Sequence, residues 1–119
     1  LVKVFADATF KYVRTNKSHQ DKTGFKHSHI AGKTPVELLG VEIGAIVENN
    51  YKECLDKKSP IRYQEFLDLP GGKRYWETTL NPVIVRGRVA YIVGSSTDIT
   101  RFKQMEEALE SLRKNNNRE

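Results

Sequence analysis

Hydrophobic positions change their period along the chain, and each change marks an element. Residues 1–5 and 9–13 are rich in β-branched and aromatic side chains, as strands prefer, with Ala6-Asp7-Ala8 between them as a hairpin turn. Asn16 closes the second strand, and its side-chain oxygen suits the cap of a following helix. From Lys17 to His29 the chain is polar and weakly periodic. It predicts one short helix to Gly24 and irregular chain beyond. Thr34-Pro35-Val36-Glu37 is a helix start: Thr34 at the N-cap, Pro35 where its missing N–H costs nothing, Glu37 at capping-box spacing. That helix stops at Gly40. A longer one follows from Val41 to about Lys57. Ile43, Ile46, Val47, Asn50, Tyr51 and Cys54 fall at spacings of three and four on one face, opposite Glu48, Lys52 and Asp56.

After Ser59-Pro60 the period turns to that of strands. Ile61–Leu69, Arg74–Val85 and Val89–Ile99 are separated by Pro70-Gly71-Gly72-Lys73 and Arg86-Gly87-Arg88. Glycines in such turns supply positive φ, so the three strands predict an antiparallel meander. Pro82 has no N–H for the ladder and predicts a bulge or an unpaired position nearby. From Thr100 to Lys114 the pattern is helical again. Phe102, Met105, Leu109 and Leu112 form an a/d seam about two heptads long, short for a coiled coil standing alone. Residues 115–119 read as a frayed end.

A length of 119 residues fits one core without disulfides or a metal. The first residue is Leu1, so the chain is expected to be cut from a longer protein. Cys54 is the single cysteine, which excludes an internal disulfide and suits a reducing, cytoplasmic compartment. No apolar run approaches the length of a membrane span, and no membrane contact is expected of this domain. The net charge of +5 raises the question of nucleic acid. Its basic residues come as scattered pairs such as Lys57-Lys58 and Lys73-Arg74, without the concentration or interleaved aromatics of a phosphate-binding face. No nucleic-acid partner is expected.

Catalytic motifs are missing, and the chain does not read as an enzyme. Pro70-Gly71-Gly72-Lys73 lacks phosphate-loop spacing and joins two strands. His27-Ser28-His29 offers two imidazoles without a third ligand nearby, so no metal site is expected, and the three histidines read as surface residues.

Residues 70–100 read PGGKRYWETTLNPVIVRGRVAYIVGSSTDIT, and Asp98-Ile99-Thr100 leads directly into the tail helix. Tyr12-Val13-Arg14-Thr15-Asn16 and Ile30 to Leu39 stand upstream in matching order. Together these segments resemble the PAS domain with its C-terminal PAC motif, over residues 1 to 112. The resemblance implies an α+β fold: a five-stranded antiparallel sheet in order 2-1-5-4-3, helices on one face and a C-terminal signalling helix. It implies a sensor at residues 1–100 and a linker or coiled-coil helix at 101–119. In bacteria such domains precede histidine kinases (two-component systems), diguanylate cyclases and similar outputs on the same chain. The other function in view is a ligandless dimerisation or scaffold module.

Within that fold a ligand lies between the sheet and the long helix. The pocket candidates are Ile46, Val47, Asn50 and Cys54 on the helix and Tyr63, Trp76, Leu80 and Ile92 on the strands. Asn50 is the polar member of its face and needs a partner, because a buried unpaired amide costs on the order of 1–3 kcal/mol. Cofactor identity is open. The reactive cysteine of flavin-adduct PAS domains has no counterpart at Leu39–Gly44, and residues 41–57 carry no histidine for haem, so neither cofactor is expected. Cys54 reads as an apolar filler. Asp98, Ile99 and Thr100 form the relay, with Asp98 and Thr100 expected to accept from N–H groups of the first helical turn. The seam Phe102, Met105, Leu109 and Leu112 is expected to pair in a parallel homodimer.

Overall fold

The computed structural model describes residues 1–116. Strands β1 (Val2–Val4) and β2 (Phe10–Tyr12) form a hairpin. Helices α1 (Lys17–Thr23), α2 (His27–Ile30), α3 (Pro35–Leu39) and α4 (Val41–Lys57) follow. The chain returns through β3 (Ile61–Leu69), β4 (Gly72–Val85) and β5 (Arg88–Asp98), and leaves as α5 (Thr100–Asn116). The five strands form one antiparallel sheet in order β2-β1-β5-β4-β3. This is the order expected from the sequence.

Local chemistry sets the helix ends. Asn16 Oδ1 accepts from the His19 N–H at 2.8 Å, and Gly24 ends α1 at φ 81°. At α3, Thr34 Oγ1 accepts from Glu37 N–H (3.1 Å) while the Glu37 carboxylate accepts from Thr34 N–H (3.2 Å), a complete capping box. Helix α2 corrects the expectation of irregular chain after Gly24: one turn forms there, and Ile30 is buried beneath it. The strands are one or two residues displaced from their sequence bounds, because β1 and β2 are trimmed by the turn at Ala8 (φ 62°) and β4 starts at Gly72. The irregularity expected near Pro82 lies one residue on, between Val83 and Ile84. At the tail, α5 runs on to Asn116 rather than fraying from residue 115; residues 117–119 lie outside the described residues.

The core lies between the sheet and α4. Phe10, Cys54, Leu80, Val89 and Ile92 are at most 2% exposed, with Val47 and Tyr51 packed over them. Two glycines fix how the helices meet the sheet. Gly72 supplies the positive φ (113°) of the β3–β4 turn, while Gly71 is needed for a different reason. Its N–H donates to the Thr23 carbonyl at 2.9 Å, and a Cβ there would stand 2.1 Å from the Lys22 carbonyl oxygen. The turn is thereby pressed against the end of α1.

Both sides of that contact are backbone, so neither can yield cheaply. Gly71→Ala is expected to cost about 1–3 kcal/mol, the range of an overpacked contact. The urea midpoint measures it, and an unchanged midpoint would show that the β3–β4 turn does not hold α1.

Candidate functional site

A cavity of about 640 Å³ lies between the inner face of the sheet and helices α1 to α4. Its size is that of small-molecule sites. Strand alternation builds one wall. On β3 it turns Tyr63, Glu65, Leu67 and Leu69 inward, and on β4 Trp76, Thr78 and Leu80. Glu65 and Trp76 are direct cross-strand partners. From the helical side come Val47 and Tyr51 of α4, and His19 and Thr23 of α1, with Tyr12 from β2.

Three polar atoms on this wall are buried without a partner: Glu65 Oε2, Trp76 Nε1 and His19 Nδ1. The His19 and Trp76 rings lie 5.6 Å apart, centroid to centroid. Several other polar groups on the wall are satisfied. Thr78 and Ser96 share a hydroxyl–hydroxyl bond of 2.9 Å, and Thr23 Oγ1 donates to the His19 carbonyl at 2.8 Å. The Tyr51 hydroxyl donates to that of Tyr12 at 3.4 Å.

Burial shapes the electrostatics. Desolvation alone pushes the Glu65 carboxyl up to about 7, and among the described residues no Lys or Arg pairs with it. Burial lowers the His19 imidazole, with the Leu1 α-ammonium adding to the fall, and burial raises the three tyrosines, Tyr12 up to about 12. The Glu65 charge adds to the rise at Tyr12, Tyr51 and Tyr63 alike, so its field reaches all three phenols.

Of the pocket candidates, Val47, Tyr63, Trp76 and Leu80 stand on the cavity wall. The other four do not. Ile46 is 52% exposed: the buried stripe of α4 runs through Gly44, Val47, Tyr51 and Cys54, and Ile46 falls beside it on the solvent side. Cys54 and Ile92 are fully buried in the core below, Cys54 with its thiol directed at the Leu80 carbonyl (3.8 Å) and Ile92 opposite Val2 on β1. Asn50 is partly buried off the wall. Glu65, Tyr12, Tyr51 and His19 are wall residues that the sequence reading passed over as pocket members. Counting by twos from Tyr63 reaches Glu65. His19 stands one helical turn before the buried Thr23, so it is not a surface histidine, whereas His27 and His29 are exposed. Among the described residues no group of three His, Cys, Asp or Glu side chains is placed to hold a metal.

The relay residues meet at the end of β5. Asp98 Oδ1 accepts from the Thr100 N–H (3.0 Å) and from the Thr100 hydroxyl (2.6 Å), and Asp98 Oδ2 accepts from Arg74 Nη1 (2.6 Å). Thr100 Oγ1 in turn accepts from the Tyr75 N–H at 2.9 Å, and the Ile99 N–H donates to the Tyr75 carbonyl at 2.9 Å. Burial alone would raise the Asp98 carboxyl, but the bonds from Thr100 and Arg74 outweigh it and hold it below the usual carboxylate range. Thr100 therefore does not cap α5 as expected; it ties the helix start to β4. Asp98 lies on the cavity rim as well. Beyond this join, Phe102, Met105, Leu109 and Leu112 are 60–65% exposed, so the seam does not pack on its own domain.

Glu65 predicts a pH signature. Its carboxyl rises from 4.5 to about 7 on folding, so the folded state holds the extra proton between those values and stability falls as pH rises through them. His19 acts with the opposite sign, favouring the fold as pH rises through 6.5, because its folded value is lowered. Glu65→Gln is expected to abolish the fall and leave the His19 rise, in urea midpoints taken from pH 5 to 8. A wild-type fall that persists in the variant would place its source elsewhere.

A family model described as PAS fold matches residues 1–104. The chain is also similar to solved structures. A domain of an HTR-like protein from Haloarcula marismortui shares 17% identity at TM-score 0.60, over 83% of this chain and 95% of that one. The PAS domain of BvgS from Bordetella pertussis shares 21% at TM-score 0.60, over 88% and 81%. The phage VqmA–DPO complex shares 20% at TM-score 0.60, over 93% of this chain and 51% of that one. A search of curated proteins gives no match.

Proposed function

The chain belongs to the PAS-fold family, whose members serve as sensory domains of signalling proteins, and from that premise we propose that it senses a small molecule in the cavity and passes the change to an attached output through α5. One observation carries this reading: Asp98 lines the cavity rim and also accepts the hydrogen bonds that hold the first residue of α5. Strand β4 joins in twice, with Trp76, Thr78 and Leu80 on the cavity wall and Arg74 and Tyr75 on the join. A ligand that favours one setting of β4 against β5 thereby favours one setting of the helix. Its action requires unequal affinity for the two settings, since equal binding shifts nothing.

In this reading residues 1–100 are the sensor and 101–119 begin the linker to a histidine kinase or diguanylate cyclase, in the cytoplasm. No helix among the described residues is long and apolar enough to cross a membrane. The exposed seam of Phe102, Met105, Leu109 and Leu112 supports a parallel homodimer, with each α5 covering its partner. The seam also favours the second reading, a dimerisation module without a ligand. A ligandless core would be packed at the usual interior density of roughly 0.75, and the cavity of about 640 Å³ weighs against that.

Asp98→Ala removes the acceptor shared by Arg74 and Thr100 while leaving the apolar core intact. We expect the domain to stay folded, with output of the full-length protein uncoupled from its signal. Unchanged output would refute the relay. Leu109→Glu is expected to turn a dimer into a monomer in sedimentation, and a wild-type monomer at high concentration would remove the dimer from this reading.

A further inference from the structure

Glu65 is the one carboxylate on the cavity wall without an ion pair among the described residues, and its Oε2 is buried without a partner. Asp98, the other, is satisfied by Arg74 and Thr100. Five aromatic side chains, Tyr12, Phe25, Tyr51, Tyr63 and Trp76, line the same space. Glu65 is the direct cross-strand partner of Trp76, and its charge adds to the rise of the Tyr12, Tyr51 and Tyr63 phenols. An acceptor without a counter-charge and a set of π faces around it have one natural complement. A cation is attracted to the faces of aromatic rings within about 6 Å of their centroids, by on the order of 2 kcal/mol when desolvated. It is also the group that a buried carboxylate most lacks.

We propose that the cavity takes a small organic amine, held in its protonated form by Glu65 and by the aromatic faces around it. This deepens the sensory reading and rests on it. The size fits a ligand of one or two rings or an equivalent chain. Trp76 Nε1 and His19 Nδ1 remain as partners for a second polar group on the same molecule.

The charged and titratable neighbours allow this. Arg14, which follows β2, and Lys22 of α1 line the cavity but are exposed, where solvent and salt screen them; the Leu1 α-ammonium lines it too, donating to the Arg14 carbonyl at 2.9 Å, and burial lowers it from 8.0. Burial, and then the Leu1 α-ammonium, lower the His19 imidazole below its usual 6.5, and the tyrosines stay protonated well above neutral pH. From α4, Glu48 adds negative charge toward Tyr12. From α5, Lys103 comes near the outer side of β3 but pairs with Glu106. Glu65 and the Leu1 α-ammonium are thus the cavity groups that change protonation near neutral pH, and Glu65→Gln isolates the part that belongs to Glu65. An entering ammonium displaces the Glu65 proton to solvent, so affinity rises with pH up to about 7 and then levels.

Calorimetric titration of the chain with phenethylamine, 2-phenylethanol and phenylacetate separates the cases, since the three share a ring and differ in charge. The proposal expects phenethylamine to bind at least tenfold more tightly than either analogue. It also expects amine affinity to rise about tenfold from pH 6 to 8, as deprotonation of one carboxyl of this pKa requires. Glu65→Gln, nearly isosteric, is expected to lose that preference and that pH dependence while still binding 2-phenylethanol. Tighter binding of the alcohol or the acid, or an amine preference untouched in Glu65→Gln, would overturn the amine assignment and leave the sensory reading standing. Binding of none of the three would overturn the amine assignment as well, and full protection of the Trp76 indole N–H from exchange in the free protein would show a closed cavity and overturn the sensory reading with it.

Discussion

At the end of β5 a single carboxylate holds two strands and a helix in register. Asp98 takes Arg74 of β4 on one oxygen and both donors of Thr100 on the other, and Thr100 passes the connection back to the Tyr75 N–H. Charge-assisted bonds of this kind are about twice as strong as neutral ones. They are also directional, so α5 cannot rotate or slide without breaking at least one of them. The helix itself contributes no buried residue to the domain. Its direction therefore depends on the join rather than on packing, and a small change in the β4–β5 pairing has no core contact to absorb it.

The cavity is the other side of the same architecture. A sheet packed throughout would have closed as it does at the end of Val89 and Ile92, both fully buried and off the cavity wall. Toward β3 the inward side chains become Tyr63, Glu65 and Trp76, and the covering elements become the short helices α1 to α3, which cannot fill the space. Unpaired polar atoms are left there at a cost on the order of 1–3 kcal/mol each. Stability is lost in the region that is free to change its contents, while the packed end keeps the sheet rigid. Such a division between a tight core and a permissive site is common where function needs a conformational response.

Much of this was legible in the chain itself. The capping signals at Asn16 and Thr34, the glycine-bearing turns, and the run from Pro70 to Thr100 identify the elements and their order, because each depends on local backbone chemistry. The site was less legible, for physical reasons. Ile46 and Val47 are neighbours at the edge of one stripe, and helical period alone cannot say on which side the stripe ends. Cys54 and Ile92 face inward as expected, yet whether an inward residue meets core or cavity depends on what covers it, and that is tertiary. Glu65 was hidden by its own polarity: the alternation of β3 pointed inward through it, but a carboxylate reads as solvent-facing until the neighbouring strands are in place. Gly71 was read as a turn residue, whereas its role is the close approach of two backbones at Lys22.

The central claim is that Thr100 and Asp98 transmit the state of the sheet to α5, and amide hydrogen exchange reads it most directly in Thr100→Val, which keeps the shape and removes the hydroxyl. The Tyr75 N–H loses its acceptor, so the account predicts faster exchange at Tyr75 and in the first turn of α5, at Lys103 whose N–H bonds to the Ile99 carbonyl. Amides of the β3–β4 ladder near Leu80 should exchange as before. Unchanged protection at Tyr75 and Lys103 in that variant would contradict the account.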